Sequence, residues 1–148
     1  MSSGSWLGSL ADHRSSKRRK TNRPSTEAAE KSLVRFVEEA WPVCEPATPF
    51  VLGWHISAIA QHLEAAARGE IRNLIVNVPP RHCKSLLTSV FWPAWLWTTR
   101  PTVRFLFTSY ALALAIRDSV RCRRLIESQW YQERWGGKVR LTSDQNAK

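Results

Sequence analysis

Lys84 and Ser85 close a stretch, Leu74 to Ser85, that reads LIVNVPPRHCKS. An apolar run (Leu74, Ile75, Val76, Val78) stops at two prolines, a basic turn follows at Arg81 and His82, and the Lys-Ser pair opens an apolar, helix-like segment. Strand, tight loop, Lys-Ser, helix is the order of parts that holds phosphate. Amides at a helix N-terminus and one lysine meet the β- and γ-phosphates of a nucleotide, and the hydroxyl takes a position on magnesium. In that chemistry Lys84 supplies the catalytic charge and Ser85 the metal ligand, with Pro80, Arg81, His82 and Cys83 lining the loop. The usual pattern is glycine, four residues, then Gly-Lys-Ser/Thr. Here Val78 and Cys83 stand where the two glycines would be.

Glycine serves in such loops because it tolerates positive φ and lets the backbone come close to phosphate. A cysteine β-carbon costs about 1 kcal/mol where the site needs a left-handed conformation. A thiol at a helix N-terminus beside Lys84 is also expected to have a lowered pKa. Hydrolysis would further need an acid after an apolar strand to hold magnesium. The run Val103–Tyr110 ends in Thr-Ser-Tyr, and neither Asp118 nor Asp144 follows an apolar run. The catalytic acid is therefore expected to be absent, leaving binding without efficient turnover.

The surrounding elements are read from periodicity. Leu33, Phe36, Val37, Ala40 and Trp41 predict a helix over Thr26–Trp41, with Glu27 and Glu30 in its first turn and Pro42 as its stop. Ile56, Ile59, Ala60, Leu63 and Ala67 predict a second helix over Trp54–Arg68, with Gly69 as its C-terminal cap. His55 and His62 lie on different sides of it. Ile71–Val78 reads as a strand covered on both faces, and Pro93 as a bend or end in the helix after the loop. Val103–Tyr110 reads as a second strand. A last helix, capped by Ser109, is expected from Ala111 to about Trp130, with Leu114, Ala115, Ser119 and Cys122 on one side and Arg117, Arg121, Arg123 and Arg124 on the other. A short strand at Val139–Leu141 is also expected. The order α-α-β-α-β-α contains a β-α-β unit and predicts an α/β fold with a parallel-sheet core and flanking helices.

A net charge of +10, a pI near 10.4 and eight tryptophans mark the composition. The charge points to a polyanionic partner, although Arg14, Lys17, Arg18, Arg19, Lys20 and Arg23 sit in a Ser/Gly-rich stretch, residues 1–25, that reads as a disordered basic arm. Residues 26–148 then form the folded part. Three widely spaced cysteines, Cys44, Cys83 and Cys122, give neither zinc spacing nor an even disulfide count. The start has no signal-peptide core, and no apolar run approaches the roughly 18–20 residues of a membrane span. A reducing cytoplasm without membrane contact is the compartment these features predict.

Taken together, PPRHCKS, the FWPAW at Phe91–Trp95, Pro101 before a run ending in Thr-Ser-Tyr, the Ala113–Ala115 helix with its arginines, and Leu125–Ser128 leading to Trp130-Tyr131 resemble the large terminase subunit of tailed phages and prophages. The resemblance covers roughly Trp41 to Lys148, and Cys83 departs from the PPRHGKS common in that family. It implies a P-loop, RecA-like ATPase domain of which this chain holds the N-terminal portion, lacking the magnesium-binding acids and the nuclease domain. It implies ATP and Mg2+ as cofactors, with Lys84 and Ser85 as phosphate and magnesium residues and the segment around Trp54-His55 against the adenine. Double-stranded DNA, the small terminase subunit and the portal protein are the implied partners, in a ring oligomer when full-length. A rival reading is a non-enzymatic basic nucleic-acid-binding protein, in which the arm and the arginine-bearing helix grip phosphates and the loop is a structural turn.

Overall fold

The computed structural model describes residues 23–141. Residues 1–22 of the expected basic arm and the polar finish from 142, Asp144 included, lie outside the described residues. Arg23, Pro24 and Ser25, read as the end of the arm, already belong to the first helix, α1 (Arg23–Lys31).

One helix was expected over Thr26–Trp41, but two form. Ser32 takes an extended conformation (φ −137°, ψ 122°) and α2 (Leu33–Cys44) starts afresh behind it. The N–H of Leu33, which has no partner within its helix, donates to the Glu64 carboxylate at 2.6 Å. That cap comes from a side chain 31 residues away, so local sequence could not show it. Pro42 does not stop α2. It falls in the last turn, where its missing N–H removes a single bond, and the helix runs on to Cys44 with the Glu45 N–H closing on the Trp41 carbonyl at 2.8 Å. The expected stripe Leu33, Phe36, Val37, Ala40 and Trp41 is buried. Helix α3 (Trp54–Arg68) has the predicted bounds and buries Ile56, Ile59, Ala60 and Leu63. Gly69 ends it at φ 84°, a left-handed cap for which glycine carries no β-carbon penalty.

The expected α/β architecture does not form. Among the described residues there is no strand and no sheet, so the partial RecA-like, parallel-sheet core is replaced by a helical fold. Residues 71–79 and 103–109 belong to no helix or strand. Among the described residues their one backbone bond is a turn contact, Val103 N–H to the Arg100 carbonyl at 3.3 Å. A strand is defined by its ladder of paired amides, and neither segment has one. The apolar pattern instead records one-sided burial. Leu74, Val76, Val78, Val103 and Phe105 lean on the helical core, while Ile75 and Leu106 between them point outward, 86% and 90% exposed. Val139–Leu141 forms no strand either, although Val139 is buried.

After the loop the chain is helical from Lys84 to Thr99 in three consecutive segments: α4 (Lys84–Leu86), a π turn (Leu87–Phe91) and α5 (Trp92–Thr99). Pro93 neither ends nor breaks this run. The turn before it widens so that the Trp92 N–H reaches back five residues to the Leu87 carbonyl, which accommodates the missing donor. Leu86, Leu87, Val90, Phe91, Ala94, Trp95 and Leu96 from this run are buried.

The last expected helix also divides, into α6 (Leu112–Glu127) and α7 (Gln129–Trp135). Ser128 sits between them and its hydroxyl accepts from the Tyr131 N–H at 3.2 Å, an N-cap by a residue type suited to it. Ala111, not Ser109, holds the N-cap position of α6, without a side-chain bond. Phe36, Trp130, Tyr131 and Trp135 form an aromatic cluster joining α7 to α2, with the Phe36 and Trp135 rings 5.6 Å apart and those of Tyr131 and Trp135 5.0 Å apart. The polar ends of two of these rings are satisfied. Tyr131 donates to the Ala94 carbonyl at 2.8 Å, and Trp135 Nε1 donates to Glu30 at 2.8 Å. No helix among the described residues is long and apolar enough to cross a membrane.

Candidate phosphate-binding cleft

Three elements meet around the loop that the sequence singled out. The C-terminal end of α2 and the residues after it bring Trp41, Glu45 and Thr48; Trp41 Nε1 donates to the Thr48 carbonyl at 2.8 Å and folds that segment back. The loop and helix start bring Val78 through Leu86. Helix α6 is held against the π turn by Cys122, which is buried and donates to the Val90 carbonyl at 3.6 Å. Arg117 and Arg121, four residues apart, therefore share one face of α6 and both line the cleft. The space enclosed is about 580 Å³, within the roughly 300–1,000 Å³ of small-molecule sites.

The loop is strained at Cys83, one of the two positions where the register calls for glycine, and at Arg81, where it does not; Val78, the other glycine position, has no positive φ. Cys83 takes φ 58°, ψ 10°, and Arg81 takes φ 66°. These are left-handed conformations at non-glycine residues, each costing about 1–3 kcal/mol and found mostly where surrounding structure enforces them for function. The Cys83 carbonyl accepts the first helical bond, from the Leu87 N–H at 2.8 Å. No side chain caps this helix start, so its leading amides remain available to an anion. Lys84 and Ser85 are exposed at that point. His82 is fixed by a 3.0 Å bond between its Nδ1 and the Pro80 carbonyl.

Of the sequence-predicted site residues, Pro80, Arg81, His82, Cys83, Lys84 and Ser85 all line the cleft. His55 does not. Its ring lies 5.3 Å from that of His82 and over Gly53, where an added β-carbon would meet it at 2.6 Å. It buttresses the loop from outside the cleft, beside Trp54, which is 84% exposed. Sequence reasoning missed Glu45, Thr48 and Trp41, and placed Arg117 and Arg121 only on the polar side of their helix. The pair's four-residue spacing was visible; what it faced was not.

Four cationic side chains, Arg81, Lys84, Arg117 and Arg121, thus share the cleft with one carboxylate, Glu45. Arg121 reaches Glu45 at 3.3 Å, and Arg117 Nε donates to Asp118 at 2.9 Å, which holds its pKa above the ordinary arginine value. The Cys83 thiol is pushed up, first by burial and then by the charge of Glu45. This runs against the lowered pKa expected beside Lys84: partial burial, and after it the Glu45 carboxylate, disfavour the thiolate. Among the described residues no three His, Cys, Asp or Glu side chains assemble into a metal site. Ser85 and Thr48 are the hydroxyls that line the cleft, and Glu45 is its carboxylate. That set suits a magnesium ion delivered with phosphates, which keeps most of its shell from phosphate and water, and does not suit a dedicated protein cage.

Comparison with family models, curated proteins and solved structures returns no match for this chain.

Proposed function

We propose that the cleft binds the polyphosphate of ATP together with magnesium, and that the chain is the ATP-binding portion of a terminase large subunit that moves double-stranded DNA. The observation that carries the nucleotide reading is Lys84-Ser85 at an uncapped helix start behind a left-handed Cys83, inside a cleft with three further cations. This arrangement is local. A loop, a helix start and a facing helix suffice for it, so it does not depend on a sheet, which the described residues do not form. Lys84 Nζ and the Arg81 guanidinium would meet the β- and γ-phosphates, and Ser85 Oγ with Glu45 would hold the magnesium, whose charge offsets that of the phosphates. The terminase assignment is supported by the order of motifs from PPRHCKS to Trp130-Tyr131.

The test is calorimetric titration with magnesium-ATP of the native chain and of Lys84→Ala. Loss of a charge-assisted contact is expected to weaken binding by at least about tenfold, while binding of a DNA duplex stays within about twofold of native, since one phosphate contact among several is minor. Equal ATP affinity in the two proteins would exclude Lys84 from the site. Loss of DNA binding alone would favour the basic nucleic-acid-binding reading.

A further inference from the structure

The cleft has a second wall that the loop motif does not describe. Arg117 and Arg121 line it from α6, and the loop lines it with Arg81 and Lys84. Convergence of four cations is unfavourable unless something neutralises them. The protein supplies little. Arg81 and Lys84 have no ion-pair partner among the described residues, and Arg117 uses only its Nε, on the neighbouring Asp118, which leaves its terminal N–H groups to the cleft. Arg121 has Glu45, through a single 3.3 Å contact with both side chains about one third exposed (39% and 32%). An exposed pair held by one contact is weak and easily exchanged.

We infer that Arg117 and Arg121 are phosphate-binding residues of the far wall, and that Glu45 holds Arg121 only until the polyphosphate of a nucleoside triphosphate takes its place. This rests on the reading of the cleft as a nucleotide site. Two observations support it independently of the loop motif. Glu45 lines the same cleft as Lys84 and is paired there with Arg121 at 3.3 Å, so its carboxylate stands among the cations that an incoming anion would meet. The cleft, at about 580 Å³, is also flanked by cations on two elements, which favours a chain of phosphates over a single orthophosphate. On binding, Glu45 turns from a partner of Arg121 to one of the magnesium that accompanies the triphosphate.

The experiment is calorimetric titration, at low ionic strength, of the native chain, Arg117→Gln, Arg121→Gln, Glu45→Gln and Lys84→Ala with four probes: magnesium-ATP, inorganic tripolyphosphate, orthophosphate and a short DNA duplex. Each arginine variant is expected to weaken ATP and tripolyphosphate by about tenfold, as for a lost hydrogen bond to a charged group, with orthophosphate weak throughout. Glu45→Gln is expected to tighten tripolyphosphate by about two- to fivefold, the range of an exposed ion pair. A variant that had merely misfolded could not bind more tightly, so that arm separates exchange from damage. Tripolyphosphate affinity unchanged in both arginine variants, with Lys84→Ala impaired, would overturn the second wall and leave the nucleotide reading standing. Weaker or equal binding by Glu45→Gln would overturn the exchange. Arginine variants that lose only the DNA duplex would assign α6 to nucleic acid instead, and no polyphosphate binding by the native chain would remove both readings.

Discussion

Trp135→Ala is expected to lower stability by about 3–5 kcal/mol, the cost of truncating a buried indole. Trp135 is 1% exposed and packs on Phe36, Trp130 and Tyr131. Its Nε1 also donates to Glu30, which Lys138 approaches at 3.3 Å, so the ring ties α7 to both α1 and α2. The alanine variant leaves a cavity at the meeting point of three helices and a carboxylate with one partner fewer. Against the roughly 5–15 kcal/mol that holds a domain folded, this is a large fraction. A urea titration reads it as a lower midpoint at an unchanged slope. A loss below about 1 kcal/mol, the level of an ordinary surface change, would mean that the aromatic cluster is not a principal stabiliser.

Raising the pH is the second large effect. Burial pushes the Cys44 thiol up to about 11 and the Cys122 thiol to about 12, from an ordinary value of 9.0. Burial also raises the Tyr131 hydroxyl. In each case the folded state keeps a proton that the unfolded chain releases. The unfolded state therefore binds fewer protons above about pH 9, and stability falls as pH rises. The contribution is complete below the unfolded value of 9.0 and is lost progressively up to about 11 for Cys44 and about 12 for Cys122. Each unit of displacement corresponds to about 1.4 kcal/mol. Cys44 is half-buried and partly screened, so Cys122 and Tyr131 carry most of a total of several kcal/mol. Urea midpoints measured from neutral pH upward should stay level to about 9 and then decline, and Cys122→Ala should flatten the decline. A midpoint unchanged to about pH 11 would contradict the burial of these groups.

The sequence made some of this legible for definite reasons. Helix α3 is a case where everything needed was local: an apolar stripe from Ile56 to Leu63 and a glycine whose left-handed φ ends it. The break at Ser32 was not legible, because the acceptor for the Leu33 N–H is Glu64, far along the chain. Pro42 was read as a stop and Pro93 as a bend or end, since proline lacks a donor and restricts the residue before it. One fell in a last turn and the other behind a π turn, where that lack costs little. The strands failed for a different reason. Leu74–Val78 was read as covered on both faces, whereas its burial alternates and Ile75 is 86% exposed; pairing also requires a second segment at hydrogen-bonding distance, and the apolar pattern of one segment cannot report that.

The site divides in the same way. Register alone pointed to a left-handed residue just before Lys84, and Cys83 has that conformation despite its β-carbon. Glu45 escaped notice because a search for an acid after an apolar strand does not find one at a helix C-terminus. The Cys83 thiol was misjudged because its burial, and after it the nearness of the Glu45 carboxylate, depend on how distant segments fold around the loop.

Cys83 also gives the most direct measurement of whether nucleotide occupies this loop. Its thiol is half-buried in the cleft, whereas Cys44 and Cys122 lie outside the cleft lining, the latter buried. All three are free thiols, so alkylation followed by peptide mass spectrometry reads them in one experiment. With magnesium-ATP at about ten times its Kd, the rate at Cys83 should fall by about tenfold, in proportion to the unoccupied fraction, while the rate at Cys44 is unchanged. Equal rates at Cys83 with and without saturating ATP would contradict a phosphate site built on the loop at Lys84 and Ser85.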